Sequence, residues 1–269
     1  MSPIHPPVAL TIAGSDSGGG AGIQADLRTF AFHQVHGASA LTCITAQNTC
    51  GVTRVDALPP EAVVAQIEAV ATDIGVQSLK TGMLLNAEII AAVAGVLKQF
   101  GLSNVVVDPV MVSRAGAQLI DDAAVDTLRS QLLPMADVLT PNRYEAEMLS
   151  GLSIASLEDM TQAARTIHAL GPQGVLVKGG GMTGALRGVD VWFDGAEAKV
   201  VKTETVDTPD THGTGCTLAA AIAANLALGH ASFEAIQQAK TYVTQALKHS
   251  LRIGKGQGPV GHFYPLLGG

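Results

Sequence analysis

Short apolar runs alternating with helix-length stretches predict an α/β chain of three layers, α/β/α, around a mostly parallel central sheet. Runs such as 8–13 (VALTIA) and 104–108 (NVVVD) are too short for helices, and they are as apolar as strands covered on both faces. Gly- or Pro-marked turns follow these runs, and helical stretches follow the turns. The segments richest in Gly and polar residues are 14–22, 47–51, 82–83, 108–116, 140–142 and 178–184. They fall after the strand-like runs, at the sheet edge where such folds bind ligands.

The elements follow in order. The strand 8–13 ends at Gly14, a helix spans 23–35, and a strand is expected at 41–46. Pro59-Pro60-Glu61 opens a helix through 71, since proline suits a first turn. A strand at 77–81 precedes a helix capped by Asn86, which runs to Phe100 and closes at Gly101. The strand 104–108 stops at Pro109. Then come a helix at 123–133, a strand at 138–140, helices at 143–149 and 161–170, and a strand at 175–178. A small β-hairpin occupies 189–201, its arms joined around Asp194-Gly195. Helices at 217–228 and 233–250 finish the chain. No linker, repeat or low-complexity tract divides it, so one domain is expected over 1–269, with 1–7 a flexible tail.

Composition narrows the function. With 47% hydrophobic and 14% charged residues, the chain has the makings of a large core. A net charge of −7 without any Lys/Arg block argues against nucleic acid. The longest apolar run, 218–228, is shorter than the roughly 20 residues a membrane helix needs. Cys43, Cys50 and Cys216 are odd in number and lack CxxC spacing, which excludes a disulfide framework or a zinc knuckle. A cytoplasmic protein acting on small molecules is expected.

The most informative stretch is Asp210-Thr211-His212-Gly213-Thr214-Gly215-Cys216-Thr217, which opens onto the apolar run. Gly213 and Gly215 allow a tight turn and a close backbone approach. The loop would sit on a helix N-terminus, where free N–H groups and the helix dipole receive an anion such as a phosphoryl group. Cys216 there is expected to have a lowered thiol pKa. The plainer alternative is a turn followed by a structural cysteine.

A second glycine loop, Gly14 to Gly22, fits neither common nucleotide motif: GxGxxG would need glycine at Ile23, and a Walker A loop would need lysine at Gly20. Asp108, at a strand end, and Glu145, in a first helical turn, are the carboxylates suited to hold Mg²⁺ through water. Their plainer roles are a turn-forming carboxylate and a helix-dipole partner. Lys178 ends an apolar strand and would suit a nucleotide phosphate. Trp192 and His33, His36, His168, His230 and His249 read as packing or surface residues.

At this point the chain resembles the hydroxymethylpyrimidine and phosphomethylpyrimidine kinases of thiamine synthesis, within the ribokinase-like superfamily. The likeness runs from about residue 8 to 263. It rests on Thr11-Ile12-Ala13-Gly14-Ser15-Asp16 with Gly22-Ile23-Gln24-Ala25-Asp26, on Ala46-Gln47-Asn48-Thr49, Lys80-Thr81-Gly82-Met83, Asp108-Pro109-Val110-Met111, Thr140-Pro141-Asn142, Val177-Lys178-Gly179-Gly180, and the 211–217 loop. It implies a ribokinase-like fold, ATP and Mg²⁺ as cofactors, and a homodimer. The implied activity is phosphorylation of 4-amino-5-hydroxymethyl-2-methylpyrimidine and then of its monophosphate. Cys216 stands where the wider superfamily places an aspartate base, with Gly213 and Gly215 beside it.

By the same resemblance Asp26, Gln47, Met83 and Val110, with Gly14 and Ala21, line the pyrimidine pocket. Asn142, Thr211, His212 and Thr214 join Lys178 on the nucleotide phosphates. Ser15, Ser17 and Asp210 depart from the usual pattern, and Asp210 would weaken phosphate binding unless turned outward. A pyridoxal kinase is the rival of the same fold, and a non-catalytic pyrimidine-binding module the rival of another class.

Overall fold

The computed structural model describes residues 5–111 and 120–267. Part of the expected tail, 1–4, and part of the expected loop, 112–116, lie outside the described residues. The elements in chain order are β1 Val8–Ala13, α1 Gly22–Phe32, β2 His36–Leu41, β3 Cys43–Asn48, β4 Gly51–Ala57, α2 Pro60–Asp73, β5 Ser78–Thr81, α3 Ala87–Phe100 and β6 Val105–Val107. They continue with α4 Asp122–Thr127, β7 Val138–Leu139, α5 Arg143–Ser150, α6 Leu157–His168, β8 Val175–Val177, β9 Asp190–Phe193, β10 Ala198–Val201, α7 Thr214–Ala227 and α8 Ser232–Lys248.

Among the described residues, eight strands form one sheet in the order β10-β9-β8-β7-β6-β5-β1-β2. From β2 to β8 the pairs are parallel. The 189–201 hairpin supplies antiparallel β9 and β10, which extend the sheet past β8. The strands are apolar throughout because helices cover both faces. Val105 and Val107 of β6 join the core built with α2, α3, α4 and α6, whereas Val106 faces the core of α1, α7 and α8. Among the described residues no helix is long and apolar enough to cross a membrane.

Differences from expectation have local causes. The strand expected at 41–46 is two elements: β2 joins the sheet, and β3 pairs with β4 in a separate hairpin turning at Thr49-Cys50. The small residues of β2 and the full exposure of β4 gave neither strand an apolar signal. Helix α6 starts four residues before 161 because Ser156 and Asp159 form a capping box. The helix expected at 123–133 is regular only through Thr127, then passes through a π turn at Leu128–Leu132 and a 3₁₀ turn containing Pro134.

Helix α7 matters most. Gly213, with φ 81°, is its N-cap, and the helix begins at Thr214 rather than 217, so Gly215 and Cys216 lie in its first turn. It packs over β1, β5 and β6, whose carboxyl ends surround that turn.

Candidate active site

Gly213 is irreplaceable on two counts. Its backbone is left-handed, and a Cβ there would overlap the carbonyl oxygen of Gly20. The two glycine loops therefore touch at the first turn of α7, where the Thr214 N–H donates to the Thr211 carbonyl and the Gly215 and Cys216 N–H groups have no partner inside the helix. A side chain starting at Gly215 would begin 3.6 Å from Lys178 Nζ and 3.9 Å from Asp108 Oδ2. The bare Gly215 backbone thus lies open beside an ammonium and a carboxylate. Thr214 Oγ1 donates to the Thr211 carbonyl and knits the loop together.

On the β6–β8 side, Lys178 Nζ sits 2.8 Å from Asp108 Oδ1, to which Thr140 Oγ1 also donates at 3.2 Å. Burial opposes the Lys178 charge, but Asp108 and Glu145 outweigh it and hold the amine above its ordinary value. Glu145 is buried, and its Oε2 accepts the Asn142 N–H at 2.8 Å while Asn142 Oδ1 accepts the Glu145 N–H at 3.0 Å. Asn142, expected on the nucleotide, is thus first a helix cap. Burial, with Asp108 nearby, pushes the Glu145 carboxyl up to about 8, against the pull of Lys178. Val110 and Asp108 border a small cavity with Thr81 and Gly82.

On the β1–β5 side Asp26, expected in the pyrimidine pocket, is paired with Lys80, which had no role in the sequence reading. Lys80 and Asp26 are both fully buried, 2.9 Å apart, and Thr11 Oγ1 donates to the same Asp26 oxygen at 2.6 Å. Burial works against the ammonium, but Asp26, Cys216 and Asp108 hold it above the ordinary lysine value. Asp26 Oδ1 is buried without a hydrogen-bond partner among the described residues. A lysine closing an apolar run, the clue used for Lys178, is present at 77–81 too and marks Lys80 equally well.

Cys216 corrects an expectation. Its half-buried thiol is raised rather than lowered: burial raises it, Asp26 and Asp108 add to that, and Lys80 and the Gly22 N–H only partly offset them. The helix terminus alone does not decide a thiol surrounded by carboxylates.

The Gly14–Gly22 loop is held from within. Asp16 takes its amides: Oδ1 accepts from Gly18 N at 2.8 Å, and Oδ2 from Gly20 N at 3.0 Å and Ala21 N at 2.8 Å. The Ala21 N–H is therefore committed to the fold. Gly14 is packed so closely against Cys43 and Met83 that a Cβ would collide with both.

His212 was expected on phosphate. Its backbone belongs to the anion loop, but its ring turns to the other side, with Nε2 2.8 Å from Asp16 Oδ2 and 3.5 Å from Gln47 Nε2. Asp210 is buried and faces away from the loop, accepting the Gly258 N–H at 2.9 Å, which removes the concern about its charge. Trp192 packs in the core against Gly174, as expected.

Among the described residues no group of three or more His, Cys, Asp or Glu side chains is arranged to hold a metal ion. Asp108 and Glu145, expected on Mg²⁺, make no protein cage, so an ion held there would take its other oxygen donors from water and phosphate.

A helix terminus open to anions beside an aspartate–lysine pair is suited to phosphoryl groups, and the class it defines is a small-molecule kinase. The model of the family described as phosphomethylpyrimidine kinase matches residues 16–261. The hydroxymethylpyrimidine/phosphomethylpyrimidine kinase of Synechococcus elongatus is 64% identical over 260 residues, covering 97% of this chain and 98% of that protein. Its Bacillus subtilis counterpart is 46% identical, covering 95% and 94%. Among solved structures, the ADP complex of Bacillus subtilis pyridoxal kinase superposes with TM-score 0.92 at 43% identity, covering 98% of this chain and 100% of that one. The phosphomethylpyrimidine kinase of Clostridium difficile gives 0.81 at 42%, covering 90% and 99%. The chain belongs to the phosphomethylpyrimidine kinase family.

Proposed function

We propose that this kinase transfers the γ-phosphoryl group of ATP to the hydroxymethyl oxygen of 4-amino-5-hydroxymethyl-2-methylpyrimidine, and then phosphorylates the resulting monophosphate. The observation that carries the reading is the bare Gly215 backbone in the first turn of α7, with Lys178 and Asp108 on one side. Beside the His212 ring of the same loop is Gln47, whose carboxamide offers the donor and acceptor that an aminopyrimidine edge requires. In the first step the hydroxyl oxygen bonds to the γ-phosphorus as the bond to ADP breaks, and the hydroxyl proton passes to water. In the second, the attacking phosphate oxygen is already ionised.

Gly213, Gly215 and Cys216 form the anion site. A raised thiol favours Cys216 as a member of that site over a resting thiolate base. Lys178 with Thr211, Thr214 and Asn142 serves the nucleotide. Asp108 and Glu145 would hold Mg²⁺, which neutralises charge on the phosphates when bound. Gln47, Asp26, Gly14, Ala21, Met83 and Val110 shape the ring pocket.

The sheet that draws on residues 8 to 201 supports one kinase domain. Three free thiols, at Cys43, Cys50 and Cys216, suit a cytoplasmic enzyme. Ile44, Val52 and Val55, each at least 42% exposed on the β3–β4 hairpin, support a homodimer. A coupled ADP-release assay over pyrimidine and pyridoxine alcohols tests the function. Pyrimidine-dependent ADP release is expected, and release driven better by pyridoxine overturns the assignment.

A further inference from the structure

His212 is left over from the anion loop, and its surroundings give it different work. Asp16 Oδ2 lies 2.8 Å from His212 Nε2, and Gln47 Nε2 approaches the same nitrogen at 3.5 Å. One imidazole nitrogen carries either a proton or a lone pair, so it cannot donate to Asp16 and accept from Gln47. Asp16 decides the matter. Its carboxylate is buried and, despite burial, held below the ordinary range by hydrogen bonds from His212, Ala21 and Gly18. An ionised carboxylate only accepts, so Nε2 carries the proton and faces the Gln47 amide as donor against donor.

The rest of Gln47 is arranged to match. Its backbone is fixed, with the N–H donating to Ser17 Oγ at 2.8 Å and the carbonyl accepting the Ser17 hydroxyl at 2.7 Å. Its side chain is not. The nearest donor to Gln47 Oε1 is the Thr45 hydroxyl at 3.4 Å, and that hydroxyl already donates to the Ser15 carbonyl at 2.8 Å. Among the described residues, then, both ends of the carboxamide are uncommitted while its Cα is held still.

We infer that the Asp16–His212 pair is a specificity-positioning device: it denies Gln47 an acceptor nitrogen and so reserves its carboxamide for the substrate ring. This rests on the reading of Gln47 as the group that meets the aminopyrimidine edge. Without Asp16, nothing holds the proton on Nε2, and the tautomer protonated at Nδ1 becomes accessible. Nε2 then accepts the Gln47 N–H and withdraws it from the ring.

The test is the ratio of kcat/KM for 4-amino-5-hydroxymethyl-2-methylpyrimidine over pyridoxine. Asp16→Asn is expected to lower the ratio about tenfold, the scale of one lost polar contact to substrate. The double variant Asp16→Asn/His212→Leu lacks the nitrogen that captures Gln47, so its ratio is expected to recover even where both rates are lower. A merely structural clamp predicts the opposite, a double variant no better than the single, and that result overturns the proposal. Should Asp16→Asn not fold, His212→Leu alone decides: a retained ratio supports the proposal and a lost one overturns it. ¹⁵N NMR of histidine-labelled wild type, without substrate, provides an independent check. A proton on Nε2 of His212 supports the proposal, and one on Nδ1 overturns it. A wild type with the expected tautomer but no preference for the pyrimidine overturns the Gln47 reading itself, and the proposal with it.

Discussion

Two aspartate–lysine pairs flank the first turn of α7, and they are not alike. Asp26 and Lys80 lie 2.9 Å apart with both side chains at 0% exposure, whereas Asp108 and Lys178 lie 2.8 Å apart with 4% and 12%. In the sealed pair one Asp26 oxygen is answered by protein, with Lys80 and Thr11 both on Oδ2. The other pair opens toward Gly215 and has the buried Glu145 carboxyl beside it. Equal distances therefore conceal different duties. One pair keeps the floor of the site intact, and the other meets what enters it.

The difference is sharpest in stability. Lys80→Met leaves a buried carboxylate without its counter-charge and is expected to cost about 3–5 kcal/mol in urea unfolding. Asp26→Asn added to it should recover more than half, because the stranded charge is then gone. Lys178→Met should cost less than half as much, since this pair is partly open to solvent and Glu145, pushed up to about 8, is mostly protonated and adds little negative charge. Equal losses at the two lysines would break the comparison.

A third sealed group is uncharged. His262 is buried with Nε2 2.9 Å from Thr217 Oγ1, and burial, with Arg28 adding to it, lowers its pKa to about 4 from 6.5. A depressed pKa means the unfolded chain takes up the proton first. The stability His262 contributes is therefore whole above pH 6.5 and drains away as the pH falls toward 4. The total is about 3 kcal/mol for a shift of this size. His262→Gln keeps a hydrogen-bonding side chain beside Thr217 but does not titrate, so its stability should fall less than wild type over that window. Parallel curves would show that His262 is not the group responsible.

On the open side the effects are on rate. Cys216→Ala should cut kcat about 10²-fold or more with little change in substrate KM, the scale of one lost group at a developing anion. A near-normal kcat would reduce Cys216 to packing. Lys178→Ala should chiefly raise the KM for ATP, and Asp108→Asn should raise the Mg²⁺ needed for half-maximal rate. ATP and Mg²⁺ titrations of these variants separate the two effects.

Much of this was legible in the chain. Apolar runs such as 8–13 announced buried parallel strands, and Gly213 and Gly215 before an apolar run announced the helix terminus, because backbone geometry and burial leave local marks. What sequence could not give was how side chains share partners. The Asp16 carboxylate takes loop amides that composition left open to a ligand, His212 turns its ring away from the loop its backbone helps build, and Lys80 is sealed where Lys178 is not. The sign of the Cys216 shift depends on Asp26 and Asp108, which are distant in sequence and near only in the fold. Strand β4, exposed along its whole length, carried no pattern to read.

The smallest expected effect tests the most exposed end of the comparison, the uncommitted carboxamide of Gln47. An aminopyrimidine presents a ring-nitrogen acceptor beside an exocyclic N–H donor, and a carboxamide answers both. A pyridoxine-type ring lacks the amino donor, so the Gln47 oxygen would face it unpaired. Such a stranded group costs about 1–3 kcal/mol, or roughly tenfold to a hundredfold in kcat/KM. Wild type should therefore prefer the pyrimidine alcohol, and Gln47→Met should shrink or reverse that preference, since an apolar side chain suits the pyridine ring better. Stability should hardly move, because among the described residues the Gln47 side chain makes only long polar contacts, 3.4 Å to Thr45 and 3.5 Å to His212. That lack of effect separates Gln47 from Lys80, whose loss should be felt first in folding. A Gln47→Met protein with an unchanged substrate ratio would mean that Gln47 does not read the ring, and the pyrimidine assignment of this pocket would fall.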